Sequence, residues 1–164
     1  MTDDQHSGGG TNMTIDQAVE AHLKYVEPLW KSNITIGSPA VTNSEDATKG
    51  KAWLAAFMKA CELKGCHIGF IAVHWYAWAK PDEFKQYLES IHREFGRPVW
   101  VTEIGVTEGN ADVFLCEVLP WLDQQGWIER YAYHMVAPET ASAQYLINAQ
   151  GSGLSSTGSR YVSC

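Results

Sequence analysis

Apolar residues recur every three or four positions in four segments, and this spacing predicts helices. The four stripes cover residues 19–30, 53–61, 84–95 and 114–122. Thr14 and Gln17 form a capping box before the first stripe, and Pro81 opens the third, where proline suits a helix start. Gly65 and Gly96 follow the second and third stripes, as glycines do at helix ends.

The segments between the helices are predicted to be strands. They cover residues 33–41, 67–76, 97–106 and 129–136, the first breaking at Gly37. The second is apolar almost throughout, as in parallel sheets covered on both faces. Strands recur about every 30 to 35 residues, which matches βα units. A short helix is also predicted in the Gly/Ser-rich tail, around residues 154–162.

This order predicts an α/β fold of about four parallel strands alternating with helices. The 164 residues make one domain. Four strands do not close a barrel, and a complete (β/α)₈ fold usually takes about 250 residues. An open doubly wound sheet is the structural alternative. Nucleotide binding is not supported, because neither Gly-x-Gly-x-x-Gly nor Gly-x-x-x-x-Gly-Lys occurs.

The charge excludes some partners. A formal net charge of -7, with no basic stripe, disfavours nucleic acid and anionic membranes. No run approaches the roughly 20 apolar residues of a membrane span.

The polar start lacks a signal peptide and indicates the cytosol, whereas sequons at Asn12 and Asn33 would carry glycans only on a secreted protein. Seven Trp and seven Tyr fit a neutral ligand that stacks on rings, such as a sugar.

Four cysteines are present. Cys61 and Cys66 bracket a helix-to-strand turn and are close enough for a small disulfide loop. Cys116 falls on a helical apolar stripe and is predicted to be a buried thiol. Zinc is not expected, because no paired Cys-x-x-Cys or His-Glu-x-x-His spacing occurs. We expect no metal and no cofactor.

Glu103 is the leading candidate for chemistry. Alternation along its strand puts Val99, Val101 and Glu103 on one face. An unpaired acid following two valines into a barrel interior would cost several kcal/mol, unless a chemical site requires it. Barrel enzymes keep their catalytic groups at this carboxyl end of the strands. The alternative is a strand-end glutamate in an ordinary salt bridge.

His74, Trp75 and Tyr76 end the preceding strand. Residues at equivalent heights in neighbouring parallel strands lie side by side, so His74 or Tyr76 is placed to hydrogen-bond Glu103 and hold it ionised. Trp75, or Trp78 in the following loop, would offer a stacking surface for a pyranose ring. The alternative is an aromatic core with a satisfied histidine.

Further candidates lie on other strand ends. Ser38 and Asn43 are possible hydrogen-bonding residues at the rim. Ser38 is not a nucleophile elbow, which needs Gly-x-Ser-x-Gly. Tyr133, with Tyr131 and His134, is a weaker candidate for substrate contact near the end of the last strand.

Five separated motifs carry a family resemblance. They are Gly37-Ser-Pro-Ala-Val-Thr-Asn43, the Cys61 to Cys66 turn, Phe70-Ile-Ala-Val-His-Trp-Tyr76, Phe95-Gly-Arg-Pro-Val-Trp-Val-Thr-Glu103 and Glu129-Arg-Tyr-Ala-Tyr133. In this order they resemble the Asl-type (alkali-sensitive linkage) glycoside hydrolases, grouped as glycoside hydrolase family 128. The resemblance runs from about Asn12 to the C-terminus.

The resemblance implies the C-terminal half of a (β/α)₈ barrel acting on cell-wall β-1,3-glucan. It implies retention of configuration by two glutamates, with Glu103 as the nucleophile ending the seventh strand. His74, Trp75 and Tyr76 match the end of the sixth strand. The family would be secreted or associated with the cell wall.

One departure from the family pattern changes the functional expectation. The family's acid/base glutamate lies in Asn-Glu-Pro-Asp, where this chain has Met1-Thr-Asp-Asp4; its first glutamate is Glu20, inside a helix. The N-terminal half of the barrel is therefore expected to be missing, with residues 1–13 a Gly-rich loop and 14–164 a partial barrel domain. We expect a β-1,3-glucan hydrolase in its complete form, or alternatively a carbohydrate-binding remnant without activity.

Overall fold

The structure, a computed structural model, describes residues 13–164. The strands are β1 (Ile71–Trp78), β2 (Val99–Glu108) and β3 (Ile128–Tyr133). The helices are α1 (Ile15–Ala21), α2 (Gly50–Lys64), α3 (Pro81–Phe95), α4 (Ala111–Gln124) and α5 (Ser156–Ser163). A π-helical turn (His22–Val26) and a 3₁₀ helix (Glu27–Ser32) follow α1. Except for Met13, the predicted N-terminal loop lies outside the described residues.

The three strands form one parallel sheet in the order β1-β2-β3. Helix α3 connects β1 to β2, and α4 connects β2 to β3. The predicted α/β fold with parallel strands alternating with helices is confirmed. No helix in the described residues is long and apolar enough to cross a bilayer.

The ends of the helices follow the sequence signals. Thr14 Oγ1 accepts from the Gln17 N–H, and Gln17 Oε1 accepts from the Thr14 N–H, so the predicted capping box is confirmed. Gly65 and Gly96 end α2 and α3 with φ of 75° and 59°, a backbone region that glycine enters without steric cost. Pro120 lies inside α4, which continues to Gln124.

The first predicted strand, residues 33–41, is wrong as a continuous strand. The segment has two isolated parallel bridges, Gly37 to Phe70 just before β1 and Val41 to Val73 within β1. Two side chains add hydrogen bonds to the backbone of β1. Ser38 Oγ accepts from the Ala72 N–H at 3.0 Å, and Asn43 Oδ1 accepts from the Tyr76 N–H at 3.0 Å. Pro39 has no N–H to donate, which prevents a regular ladder here.

One extra residue in β2 decides which way Glu103 faces. Val101 lies opposite Val73 of β1, but the next residue of β1, His74, lies opposite Glu103, so Thr102 has no partner in the register. The register with β3 shifts in the same interval. This two-against-one arrangement is a β-bulge, which reverses the alternation of side chains beyond it.

The bulge corrects the prediction that Val99, Val101 and Glu103 share a face. Val99 and Val101 are buried in the core between the sheet and the helices. Glu103 lies on the opposite face, which we call the inner face, with Trp100 and the ends of His74 and Tyr76. Beyond the bulge, the helix side of β2 is continued by Ile104 and Val106.

Two disulfides fix the outer helices. Cys61–Cys66 closes the turn after α2, as predicted. The prediction of a free thiol at Cys116 is wrong, because Cys116 is bonded to Cys164. Helix α5 packs against α4 and brings the two cysteines together across 48 residues of sequence, a proximity that spacing alone does not reveal.

Gly105 leaves room for the ring of Tyr76. A Cβ atom at Gly105 would lie 2.3 Å from Tyr76 Cε1, far inside van der Waals contact. Tyr76 and Gly105 are partners in the parallel register, so the ring lies directly across the neighbouring strand. The glycine is required for space here, not for an unusual backbone angle.

Replacing Ser38 with Ala is expected to destabilise the fold by about 1 to 3 kcal/mol, because the buried Ala72 N–H would lose its acceptor. Urea unfolding measures the change. Ser44→Ala is the control: the Ser44 hydroxyl accepts from the Asp46 N–H at an exposed site, where water replaces it. Equal stability of the Ser38→Ala and Ser44→Ala proteins would contradict a structural role for Ser38.

Replacing Gly105 with Ala is expected to cost about 1 to 3 kcal/mol of stability, because the added methyl group displaces Tyr76. Gly126→Ala is the matched control, since nothing lies within 4 Å of a Cβ placed at Gly126. Denaturation measures stability, and near-ultraviolet circular dichroism follows the environment of the tyrosine. A Gly105→Ala protein as stable as Gly126→Ala would show that the ring has free space.

Candidate active site

Glu103 lies on the inner face, in the middle of β2, between two side chains of β1. Its Oε2 accepts a short hydrogen bond from the Tyr76 hydroxyl, and its Oε1 lies 3.5 Å from His74 Nε2. The Glu103 side chain is 34% exposed, whereas His74 is 3% exposed. The predicted contact of Glu103 with His74 and Tyr76 is confirmed, while their roles in catalysis stay predictions.

Tyr76 is held from three directions. Asn43 Oδ1 accepts from its backbone N–H, Gly105 makes space for its ring, and the His134 ring meets it edge-on at 5.7 Å between centroids. His134 follows β3, and its N–H donates to the Ile104 carbonyl. Asn43, Gly105 of β2 and His134 just after β3 therefore hold the tyrosine whose hydroxyl contacts Glu103.

This arrangement aims one carboxylate and keeps part of it accessible. A hydrogen bond donated to a carboxylate favours its ionised form and restricts its orientation. The tautomer of His74 that carries its proton on Nε2 offers a second donor to Oε1. A partly exposed, oriented carboxylate on a parallel sheet is suited to nucleophilic or general-base chemistry.

The two candidate tryptophans lie in different environments. Trp75 is 2% exposed and stacks on Phe114 inside the core between sheet and helices, with Phe84 edge-on. The prediction that Trp75 offers a stacking surface to a sugar is therefore wrong, because alternation turns it away from Glu103. Trp78, at the end of β1, is 57% exposed and keeps a ring face available.

Tyr133 also points away from Glu103. It is buried on the helix side of β3 near Tyr161 of α5, which corrects the prediction of a substrate contact. Burial raises the pKa of Tyr133 to about 12. Burial likewise raises the pKa of Tyr131 to about 12, with a further contribution from the hydrogen bond that its hydroxyl donates to Asp123.

Ser38 and Asn43 take part in strand pairing. Ser38 is buried, and its hydroxyl contacts backbone groups of Ala72 and Pro39, so its predicted place at an open rim is wrong. Asn43 lies beside the end of β1 with its Oδ1 bonded to Tyr76, and it also lines a surface cavity of about 520 Å³. Both residues therefore hold β1 in position by accepting hydrogen bonds from its backbone.

Sequence reasoning missed an aromatic layer on the inner face. Trp100 stacks on Phe70 at 3.8 Å, the Arg130 guanidinium lies 4.9 Å from its ring, and its Nε1 donates to Glu129 at 2.8 Å. It occupies the same face as Glu103, nearer the amino end of β2. The signal was available, since Trp100 stands between the two buried valines of the strand and so must point the other way.

Metal-binding side chains cluster elsewhere in the described residues. A group spaced to hold an ion consists of His22, Cys61 and Cys66, behind the sheet on the helix side. Glu103 is not part of that group.

Known proteins resemble this chain in sequence and in fold. A family model described as "Glycosyl hydrolase catalytic core" matches residues 3–161. No curated protein matches the chain significantly. Several solved structures resemble it, however, among them glycoside hydrolase family 128 β-1,3-glucanases.

The chain is 34% identical to a curdlan-specific exo-β-1,3-glucanase (subgroup III) from Blastomyces gilchristii, with a TM-score of 0.80 over 94% of this chain and 65% of that enzyme. It is 25% identical to an endo-β-1,3-glucanase (subgroup IV) from Lentinula edodes, with a TM-score of 0.82 over 92% of this chain and 64% of that one. An endo-β-1,3-glucanase (subgroup I) from Amycolatopsis mediterranei, in complex with laminaritriose, is 25% identical, with a TM-score of 0.78 over 98% of this chain and 68% of that one.

The chain thus spans slightly less than two thirds of the first two enzymes. The alternating strands and helices match the folds of these enzymes over more than 90% of this chain. With the family model matching nearly its whole length, the chain belongs to the glycosyl hydrolase catalytic core family.

Proposed function

We propose that this chain provides the nucleophile side of a retaining β-1,3-glucan hydrolase of the Asl type, with Glu103 as the nucleophile. The observation that carries the proposal is the contact of the Glu103 carboxylate with the Tyr76 hydroxyl and with His74. These contacts would hold one carboxylate oxygen of Glu103 toward a sugar bound over the inner face.

The reaction would proceed in two steps. Glu103 attacks the anomeric carbon, and the glycosidic oxygen leaves with a proton from a second carboxylic acid. A glycosyl ester of Glu103 results. Water then attacks the same carbon, the second carboxylate takes a proton from that water, and Glu103 is released as a carboxylate. In retaining enzymes the two carboxyl groups stand about 5 to 5.5 Å apart.

The second carboxyl group is proposed to come from strands that this segment lacks. Within residues 13–164, Glu103 contacts a tyrosine and a histidine, neither of which is a carboxylic acid. The chain also spans 65% of the length of the enzyme from Blastomyces gilchristii. A complete barrel would place an acid from an earlier strand across the inner face from Glu103.

The substrate assignment rests on the neighbours and on one aromatic ring. Two of the similar enzymes are described as β-1,3-glucanases of exo and endo type, and a third was solved with laminaritriose. Trp78 is proposed to stack against a glucose ring at the end of β1, since its indole is exposed. His74 and Tyr76 are proposed to orient the nucleophile.

Secretion, or association with a cell wall, is part of the proposal. Two disulfides join all four cysteines of the chain, and such bonds persist in oxidising compartments. A β-1,3-glucan of a cell wall lies outside the plasma membrane, so the same compartment would bring enzyme and substrate together.

A carbohydrate-binding role without hydrolysis is the second candidate. It is favoured by the exposed Trp78 and by the contacts of Glu103 within residues 13–164, which are with a tyrosine and a histidine and not with a carboxylic acid. The two candidates differ in one outcome: a binding protein holds laminari-oligosaccharides without forming a bond to Glu103.

A substrate with an activated leaving group tests the nucleophile without the second acid. Dinitrophenolate leaves without protonation, and a 2-deoxy-2-fluoro sugar slows hydrolysis of the glycosyl ester. With a 2-fluoro dinitrophenyl β-laminaribioside, the chain is expected to release one dinitrophenolate per molecule and to gain the sugar mass on Glu103. Absorbance measures the burst, and peptide mass spectrometry locates the ester.

The variant Glu103→Gln is expected to lose both signals. Glu108→Gln is the matched control, because Glu108 lies on the same strand with an exposed side chain. An adduct on another residue, or a burst that survives in Glu103→Gln, would remove Glu103 from the mechanism. Binding of the sugar with no burst would favour the binding protein over the hydrolase.

Trp78→Ala is expected to weaken laminarihexaose binding about tenfold, which corresponds to about 1.4 kcal/mol of lost stacking. Calorimetric titration measures the affinity. Trp30→Ala is the control: Trp30 is also exposed but stacks on His67, which precedes β1. Equal affinities of the two variants would place the sugar away from the end of β1.

A further inference from the structure

His22 is a buried histidine outside the candidate active site. It begins the π-helical turn after α1, is 1% exposed, and meets Phe57 of α2 edge-on at 5.9 Å. One ring nitrogen of His22 and the sulfur atoms of Cys61 and Cys66 all lie within 4.8 Å of one another. A buried imidazole thus faces the disulfide that closes the turn after α2.

The His22 ring has an unsatisfied polar atom at this place. Among the described residues, its Nε2 has no hydrogen-bond partner, and the Glu27 carboxylate lies 3.5 Å away at the closest oxygen. Burying a polar nitrogen without a hydrogen bond costs about 1 to 3 kcal/mol. Groups of this kind need a partner, and a metal ion supplies one.

We propose that reduction of the Cys61–Cys66 disulfide converts this cluster into a zinc site with ligands from Cys61, Cys66 and His22. Around tetrahedral Zn²⁺, sulfur and nitrogen ligands stand about 3.5 to 3.8 Å apart, given bond lengths of about 2.0 to 2.3 Å. The disulfide bond holds the two sulfur atoms together, and a His22 nitrogen lies within 4.8 Å of both, so reduction would let the sulfurs separate to these distances. Two thiolates and an imidazole suit Zn²⁺ better than Mg²⁺ or Ca²⁺, which prefer oxygen.

Reduction of the disulfide balances in electrons and protons when a dithiol is the reductant. The dithiol gives two electrons and two protons to the Cys61–Cys66 bond, forming two thiols and becoming a disulfide itself. Binding of Zn²⁺ then releases the two thiol protons, because the thiolates are the ligands. Reoxidation of the thiolates by a disulfide expels the ion. The site is therefore gated by the thiol–disulfide state.

Glu27 lies beside the cluster and contacts the imidazole of His22. Its Oε2 is the oxygen 3.5 Å from His22, while its Oε1 is engaged by His67 Nδ1 in a short contact. The His67 N–H also donates to Glu27 Oε2 at 2.9 Å. A carboxylate that contacts a metal-ligating histidine and is itself hydrogen-bonded helps to orient the ring.

The disulfide borders a surface cavity of about 430 Å³, which both Cys61 and Cys66 line. Cys66 is partly exposed, whereas Cys61 is 1% exposed, so a reductant approaches from the side of Cys66. Cys116–Cys164 has no comparable cluster in the described residues, since the group of metal-binding residues found there includes neither of its sulfurs.

Cobalt and zinc titrations of the reduced chain test the proposal. The variant Cys116→Ser with Cys164→Ser keeps only the pair beside His22. After reduction by a phosphine, which adds no competing thiol, it is expected to bind one Co²⁺ with thiolate-to-metal charge-transfer absorption. Zn²⁺ is expected to displace the Co²⁺ and to raise the melting temperature of the reduced protein. The oxidised form is expected to show neither effect.

Two variants serve as comparisons. Cys61→Ser with Cys66→Ser retains the other pair, and after reduction it is expected to show no charge-transfer band. His22→Gln, in the background without Cys116 and Cys164, is expected to weaken Zn²⁺ binding at least about 100-fold, since loss of even an outer-shell partner costs 10- to 100-fold. Circular dichroism of the oxidised His22→Gln protein checks that it folds.

Several outcomes would overturn the zinc site. One is a reduced chain without the charge-transfer band. Another is equal metal affinity in the two double-serine variants. Unchanged affinity in His22→Gln would also do so, because unfolded thiols would then be the ligands. If reduction unfolds the protein, Zn²⁺ must restore its circular dichroism only when His22 and both cysteines are present.

Discussion

The orientation of the candidate nucleophile depends on one unpaired residue in a strand. Without the bulge at Thr102, alternation would carry Glu103 into the apolar core behind Val99 and Val101, where an ionised carboxylate costs several kcal/mol. With the bulge, the same sequence packs valines against helices and aims the acid at the opposite face. The Thr102 hydroxyl lies 3.4 Å from the Val73 carbonyl, which gives the interrupted ladder a side-chain contact. The roles proposed for His74, Tyr76 and Trp78 require that the bulge reverse the alternation of side chains in β2.

Local patterns in the sequence predicted the regular elements well. Three helix ends are each determined by residues next to them: the capping box of Thr14, Gly65 after α2 and the proline that opens α3. The β-bulge does not appear in such a pattern, because Thr102 and Glu103 look like ordinary strand residues and the extra position shows only in the pairing with β1. The prediction for Trp75 was wrong for another reason, since ordinary alternation along β1 already places Trp75 with Ile71 and Val73 on the helix side, and Tyr133 is likewise buried there. Each belongs to an aromatic cluster that only tertiary packing assembles.

Long-range pairing was equally hidden from the sequence. Residues 33–41 have the alternation of a strand, but Pro39 removes a donor, and the hydroxyl of Ser38 and the amide of Asn43 replace regular backbone acceptors. His22 stands 39 residues before Cys61, so no metal motif is visible, although the fold brings the three side chains together. Element order predicted that Glu103 would lie near His74 and Tyr76 on the neighbouring strand, but the bulge at Thr102 is what turns Glu103 to their face.

The two disulfides close loops of different size. In the chain-entropy model, the bond spanning five residues stabilises by about 2 kcal/mol and the bond spanning 48 by about 4 kcal/mol. The larger one encloses β3, the strand at one margin of the sheet, within a covalent ring that starts on α4 and ends after α5. If β3 separates from β2, both of its flanks stay anchored to the same helix pair. The covalent ring confines β3 to a small volume, so that β3 pairs with β2 again faster than a strand of a neighbouring molecule can pair there.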